Sequence, residues 1–273
     1  MALTGIWGRP FLDLEHVVDL AVLGGLDDEL CLGLSQTGVT YTGGSHRSMG
    51  IMPERFAREP YADYGEVLRA MGPAEFEVFR ALGDPRGDEP AAYGEERARP
   101  LSHRQMLYLS YRHGAYFPWK VYYELIPNRW WSGKGRGAGK SFTAEAQRLF
   151  PRTVAFIRSL PFDQVGSCKL LGVAANDHGT VHRDADPAVK RTVDHFITFC
   201  PRPGKRLFVW DEARQEKTYA PSRVVWFNDS DYHGVEATPR FTYSLRVDGV
   251  FRRDFLSSLL DRYGPPAPGL GTT

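Results

Sequence analysis

Residues Gly179 to Pro187 read GTVHRDADP, and the His182-Arg183-Asp184 triplet inside them has the chemistry for two different tasks. In a protein kinase such a triplet forms the catalytic loop, and its Asp accepts the proton of the attacking hydroxyl. At a mononuclear metal site, an imidazole and a carboxylate two positions apart can bind one ion, because residues i and i+2 of an extended chain point to the same side. A second stretch, SGKGRGAGKS from Ser132 to Ser141, raises the question of phosphate binding.

Both phosphate readings fail on register. A P-loop needs Gly, four residues, then Gly-Lys-Ser/Thr, so that backbone amides wrap the phosphate. Gly139-Lys140-Ser141 would require glycine at position 134, which is Lys134; Gly133 and Gly135 miss it on either side. The stretch therefore reads as a flexible basic glycine loop ahead of a helix, with Ser141 as the expected N-cap. A kinase needs Asn five residues after its catalytic Asp, and here that position is Val189. The chain also has no Asp-Phe-Gly.

A metal site would need a third ligand from a later strand. Two histidines follow the triplet, His195 and His233. His195 lies within VDHFITFC and reads as a strand residue of the core or rim. His233 follows the turn-forming Asn228 to Asp231 and begins a new strand, the better place for a ligand at the mouth of a barrel. Two imidazoles and one carboxylate leave three open positions on an octahedral Fe(II), the facial triad of non-haem iron oxygenases. A closed structural zinc site would ask for a fourth ligand, usually Cys, and none is near in sequence. His178, four residues before His182, would need a helix to share a metal with it, and Gly179-Thr180-Val181 argues for extended chain.

The last strand, RFTYSLRVDGVF, adds a cation. Thr242, Ser244 and Arg246 share one face of it, and Arg246 is the expected bidentate partner of a carboxylate, with Ser244 and Thr242 beside it. Asn176 is a further candidate for touching cosubstrate or substrate. Arg183 is a candidate for a substrate carboxylate, and Trp130 and Trp131 for a substrate lid.

These residues must be positioned by the rest of the chain, whose first part reads as helix and loop. Tyr64–Gly83 carries apolar residues at helical spacing on either side of Gly72-Pro73. Leu101–Gly114 is a helix with Ser102 as N-cap and Gly114 as its stop. Phe150, Val154 and Ile157 mark another helix, at which Pro151 is a kink or a start. After Gly166 come short β-branched and aromatic runs, CKLLGVAA, VDHFITFC, RLFVWDE, RVVWFN and FTYSLRVDGVF, the pattern of a sandwich or barrel. The expected organisation is a helical and loop region over 1–140 covering the barrel, a catalytic β core with its supporting helix over 141–262, and a Pro/Gly-rich tail over 263–273.

Bulk properties narrow the function. The 273 residues are 42% hydrophobic, ample for a core, and the net charge of +1 gives no electrostatic footprint for nucleic acid or an anionic membrane. Cys31, Cys168 and Cys200 are odd in number and far apart, which fits neither a disulfide framework nor a zinc cluster. The first thirty residues lack both a basic leader and a spanning apolar run, so a soluble cytoplasmic protein is expected.

His182-x-Asp184, His233 and Arg246, thirteen residues after His233, together resemble the Fe(II)- and 2-oxoglutarate-dependent dioxygenases. The resemblance covers about 80 residues, Lys169 to Phe251, and departs from the plant-type pattern where Arg246-x-Asp248 replaces Arg-x-Ser. It implies a double-stranded β-helix of the jelly-roll, cupin-like kind, in an α+β, mainly β protein with N-terminal helices packed outside. It also implies Fe(II), 2-oxoglutarate as cosubstrate held by Arg246, and O2, with His182, Asp184 and His233 as catalytic metal ligands. The implied activity is hydroxylation of a C–H bond in a small molecule or peptide, here a free or peptide-borne amino acid, in specialised metabolism. Two alternatives remain: a cupin-type metal enzyme that uses no 2-oxoglutarate, and a non-catalytic ligand-binding barrel. The oligomeric state is not legible.

Overall fold

The computed structural model of the chain describes residues 3–37, 52–53, 65–83, 102–116, 121–128 and 133–265. Local signals account for most element ends in the N-terminal half. After a short strand β1 (Leu12–Asp13), Asp19 caps helix α1 (Leu20–Leu34) by accepting from the Ala21 amide. Strand β2 (Met52–Pro53) is followed by helices α2 (Gly65–Ala70) and α3 (Pro73–Ala81), separated at the Gly72-Pro73 break. Helix α4 (His103–His113) has a full capping box between Ser102 and Gln105 and stops at Gly114, whose φ of +64° suits glycine. Strands β3 (Ala115–Tyr116) and β4 (Val121–Ile126) come next. Helix α5 (Ala144–Leu149) starts two residues later than the sequence suggests: Thr143, not Ser141, accepts the Ala146 amide as N-cap. Pro151 opens helix α6 (Pro151–Ser159), where its missing N–H costs nothing.

Antiparallel strands fill the second half: β5 (Phe162–Val173), β6 (Gly179–His182), β7 (His195–Phe199), β8 (Arg206–Asp211), β9 (Glu216–Tyr219), β10 (Val224–Trp226), β11 (His233–Glu236) and β12 (Thr242–Phe251). Helix α7 (Arg253–Tyr263) ends the described chain's regular structure. The strands form a six-stranded sheet, β1-β10-β7-β12-β5-β4, and a four-stranded sheet, β6-β11-β8-β9. From β5 to β8 successive strands alternate between the two sheets, and the crossing resumes from β9 through β12, a pattern consistent with a jelly-roll core. Both edge strands of the larger sheet, β1 and β4, come from the first 126 residues.

The central strand β12 shows how the core is divided. Residues Thr242 to Gly249 are all buried. Tyr243, Leu245 and Val247 join the hydrophobic core, and the Tyr243 hydroxyl donates to Asp27 of α1 at 2.5 Å. The intervening Thr242, Ser244, Arg246 and Asp248 put their polar groups on the opposite face, as the period of two requires. Helix α6 packs behind β7 through an edge-on contact between Phe156 and Phe199. No helix among the described residues is long and apolar enough to cross a membrane. The three cysteines are free thiols.

Phe150, between α5 and α6, is fully buried and tilts against Tyr123, with centroids 5.3 Å apart. Its ring lies so close to α1 that a Cβ on Gly33 would come within 2.2 Å of it. Phe150→Ala would leave a cavity where α1, α5 and β4 meet. Urea unfolding is expected to show a loss of about 3–5 kcal/mol; a loss below about 1 kcal/mol would mean that the helices are not packed through this ring.

Candidate metal centre

Strand pairing brings the two histidines together. His233 is the direct partner of His182 across the antiparallel pair of β11 and β6, and the ring centroids are 4.5 Å apart. Each ring is set by the same device. His182 Nδ1 lies 2.8 Å from the Thr180 carbonyl, and His233 Nδ1 lies 2.9 Å from the Asp231 carbonyl. An Nδ1–H donated to a carbonyl leaves Nε2 with its lone pair exposed, the tautomer a metal requires.

Asp184 completes the group by a different route from the one the spacing suggests. Strand β6 ends at His182, and Asp184 lies in the bend beyond it, where its amide donates to the Asp229 carbonyl at 2.8 Å. Its Oδ1 is 3.6 Å from His182 Nε2 and 3.9 Å from His233 Nε2. All three ligand atoms lie within 4.8 Å of one another, and all three residues are buried. Two donors each about 2.1 Å from one ion stand at most about 4.2 Å apart, so small rotations of the side chains bring these three onto a metal. Two neutral nitrogens, one carboxylate oxygen and no Cys suit an iron-type facial site better than a closed zinc site.

The other oxygen of Asp184 faces cations. Arg246 Nη1 donates to Asp184 Oδ2 at 3.1 Å, while Nη2 reaches Asp229 Oδ2 at 2.5 Å and Nε reaches Asp248 Oδ1 at 2.9 Å. Its guanidinium carbon also lies 3.8 Å from the centroid of the Phe196 ring. Burial opposes the charge, but Asp248, Asp229 and Asp184 hold the pKa of Arg246 well above its ordinary value. Burial likewise opposes the charge on Asp248, and Arg246 and Lys169 bring that carboxyl down to about 2.

One cavity is lined by His182, Asp184 and His233 together with Ser244, Arg246 and Lys205. Lys205, just ahead of β8, was not among the residues singled out from sequence. Its ammonium donates to Ser244 Oγ at 2.7 Å and to the Leu171 carbonyl at 3.1 Å. Burial of that end of the side chain lowers it to about 8. Lys134 was also missed; it is buried, and its ammonium contacts Asp229, Asp194 at 2.8 Å and Asp184 at 3.7 Å. The signal for both was weak, a lysine among glycines and a lysine in a Pro-Gly turn. Nothing in the sequence says which of 34 basic side chains points inward.

Other candidates lie elsewhere. Thr242 is buried on the face of Arg246 but does not line the cavity. Asn176 sits in an exposed turn with φ of +61°, the role of an Asn in left-handed backbone, and is not at the site. His178 is exposed. His195 stacks on Phe251 at 4.8 Å, an aromatic packing role. Arg183 covers the Tyr232 ring at 5.1 Å and does not line the cavity. Trp130 and Trp131 lie outside the described residues.

No family model and no curated protein matches the chain. Among solved structures it is similar to an oxidoreductase of the 2OG-Fe(II) oxygenase family from Burkholderia pseudomallei, at 12% identity over 46% of this chain and 66% of that one, TM-score 0.29. It is also similar to a prolyl-4-hydroxylase from Pseudomonas putida, at 16% identity over 38% of this chain and 60% of that one, TM-score 0.25. A third is a prolyl hydroxylase from Trichoplax adhaerens, bound to a hypoxia inducible factor peptide fragment, at 11% over 46% and 63%, TM-score 0.27. These neighbours come from the superfamily that the His182/Asp184/His233 pattern resembles. The chain spans less than two thirds of the length of each, and at this overlap the likeness adds nothing to the geometry.

Burial, with His182 close by, outweighs the pull of Asp184 and lowers His233 from 6.5 to about 4. Between those two values the folded imidazole stays neutral while that of the unfolded chain gains a proton. Metal-free protein is therefore expected to lose stability as pH falls from 6.5 to 4, with no further loss from this group below that. His233→Gln should flatten this part of the profile in thermal melts; an identical slope in the variant would show that the imidazole is not held neutral by burial.

Proposed function

We propose that the chain is a non-haem Fe(II)- and 2-oxoglutarate-dependent dioxygenase, with a double-stranded β-helix core, that hydroxylates a C–H bond of a free or peptide-borne amino acid. The observation that carries this reading is the convergence of His182 Nε2, His233 Nε2 and Asp184 Oδ1 on one cavity. These three would hold the iron, leaving positions for cosubstrate and O2. Bound there, iron with 2-oxoglutarate and O2 supplies the oxidising power to break an unactivated C–H bond, chemistry that no side chain offers.

The protein's own residues bind and orient. The sequence pattern points to Arg246 as the clamp on the distal carboxylate of 2-oxoglutarate. Its donors, however, are directed at Asp184, Asp229 and Asp248. What supports Lys205 instead is a cationic end that lines the cavity, with the Ser244 hydroxyl as a second donor beside it. Arg246 then orients Asp184. Leu171, Leu207, Phe227 and Val235 keep the cavity apolar around these groups, which strengthens charge pairing inside it.

Anaerobic addition of Fe(II) and then 2-oxoglutarate tests this reading through the visible charge-transfer band of the chelate. The band is expected in wild type and absent in Asp184→Ala and His182→Ala. Iron binding without the band would favour a cupin-type enzyme that uses no 2-oxoglutarate; no iron binding would favour a non-catalytic barrel. Lys205→Met is expected to weaken 2-oxoglutarate binding by about 10–100-fold, the worth of one charge-assisted hydrogen bond. Because burial lowers the Lys205 ammonium to about 8 before 2-oxoglutarate binds, affinity should drop in wild type by about tenfold per pH unit above that value. In Lys205→Met this dependence should vanish; its persistence would return the clamp to another residue.

A further inference from the structure

The glycine-rich stretch before α5 is ordered in an unexpected way. From Gly133 to Lys140 it folds back on itself: Arg136 N donates to Gly133 O and Lys140 N to Gly137 O, both at 3.0 Å. The Lys140 ammonium closes the loop on Asn128 Oδ1 and Gly133 O, each at 2.6 Å. The loop is pressed onto β5, where Ser167 N donates to Lys134 O at 2.7 Å. A Cβ on Gly166 would come within 2.1 Å of that carbonyl, and one on Gly137 within 2.9 Å of Val165 O. Glycine on both sides of the contact is what allows the backbones to meet.

The contact delivers one side chain. Lys134 is 3% exposed, and its ammonium reaches between Asp229, Asp194 and Asp184. Asp229 takes both Lys134 and Arg246 on Oδ2, and its Oδ1 makes no hydrogen bond among the described residues. It is a second buried carboxylate next to the metal ligand, competing with Asp184 for the same guanidinium. We infer that Lys134 is a positioning residue: by neutralising Asp229 it leaves Arg246 Nη1 on Asp184 Oδ2, which turns Asp184 Oδ1 towards the two histidines. The inference rests on the reading of His182, Asp184 and His233 as a metal site.

Two effects of losing Lys134 oppose each other. Removing a cation lessens repulsion of an incoming dication, whereas releasing a ligand carboxylate from its partners disorders it. The second wins where a metal-binding carboxylate depends on hydrogen bonds, whose loss costs about 10–100-fold in affinity. Removing the Lys134–Asp229 charges together is expected to cost little in folding, since a buried pair removed as a unit is often nearly neutral.

The test is Mn(II) binding, followed by the loss of the free-ion EPR signal, in wild type, Lys134→Met, Asp229→Asn and the double variant, with folding checked by circular dichroism. Lys134→Met is expected to bind Mn(II) about 10–100-fold more weakly. The double variant, with no Asp229 charge left to neutralise, is expected to return to within about threefold of wild type. A Lys134→Met variant that binds as wild type does, or a double variant as weak as the single one, would overturn the inference while leaving the metal site standing. Failure of wild type to bind would overturn the metal site and the inference with it. Should Lys134→Met not fold, Lys134→Gln, which keeps a donor but no charge, takes its place in the same comparison.

Discussion

Arg246 is the centre on which the candidate site depends. Its guanidinium joins three buried carboxylates, Asp184 beyond β6, Asp229 in the turn before β11 and Asp248 on its own strand. Those carboxylates belong to segments that approach from both sheets. Isolated charges at such depth would be expensive to desolvate, and they are tolerated because each has a geometric partner. Such a cluster contributes little net stability compared with an apolar core. What it does is hold Asp184 in one orientation.

The histidines are held by simpler means. In both, Nδ1 faces a carbonyl two residues earlier, so the same local geometry serves two strands. The carbonyl used by His233 belongs to Asp231, whose side chain accepts the amides of Thr4 and Gly5 at 2.8 and 2.7 Å. The N-terminal segment is thus tied to the site through the backbone, and β1 forms the edge of the six-stranded sheet beside β10. Burial raises the Asp231 carboxyl above its ordinary value, against the hydrogen bonds from those amides.

A division of labour among the cations follows. Arg246 and Lys134 are engaged with carboxylates, and both contact Asp184 at Oδ2, the oxygen other than the one nearest the imidazoles. Lys205 lines the cavity, where its ammonium donates to Ser244 Oγ and to the Leu171 carbonyl. A guanidinium suits the first task, because its planar fork serves several carboxylates at once; a single ammonium suits the second, as a point charge for one end of a ligand.

Helices α1 and α7 and the edge strands β1 and β4 were not read from the sequence, which presented the first 140 residues as helix and loop. The sequence by itself determined the run of short strands after Gly166, the caps at Ser102 and Gly114, the break at Gly72-Pro73 and the candidate group of His182, Asp184 and His233. These depend on local rules: side-chain period, turn chemistry and the residue types that bind metals. Strand β12 was legible as well, since alternation separates Tyr243, Leu245 and Val247 from Ser244 and Arg246. Tertiary structure alone decided the pairing of His233 with His182 and the bend that brings in Asp184 from outside β6. It also decided which cation serves which carboxylate. Arg246 was legible as an inward cation but not as one already surrounded by acids, because Asp184, Asp229 and Asp248 lie 62, 17 and 2 residues away from it. Lys134 was legible only as part of a basic loop, since its burial depends on glycines in two segments that meet only when the sheet forms. Pairing energies fall steeply with distance and dielectric, and both quantities exist only once the chain has folded.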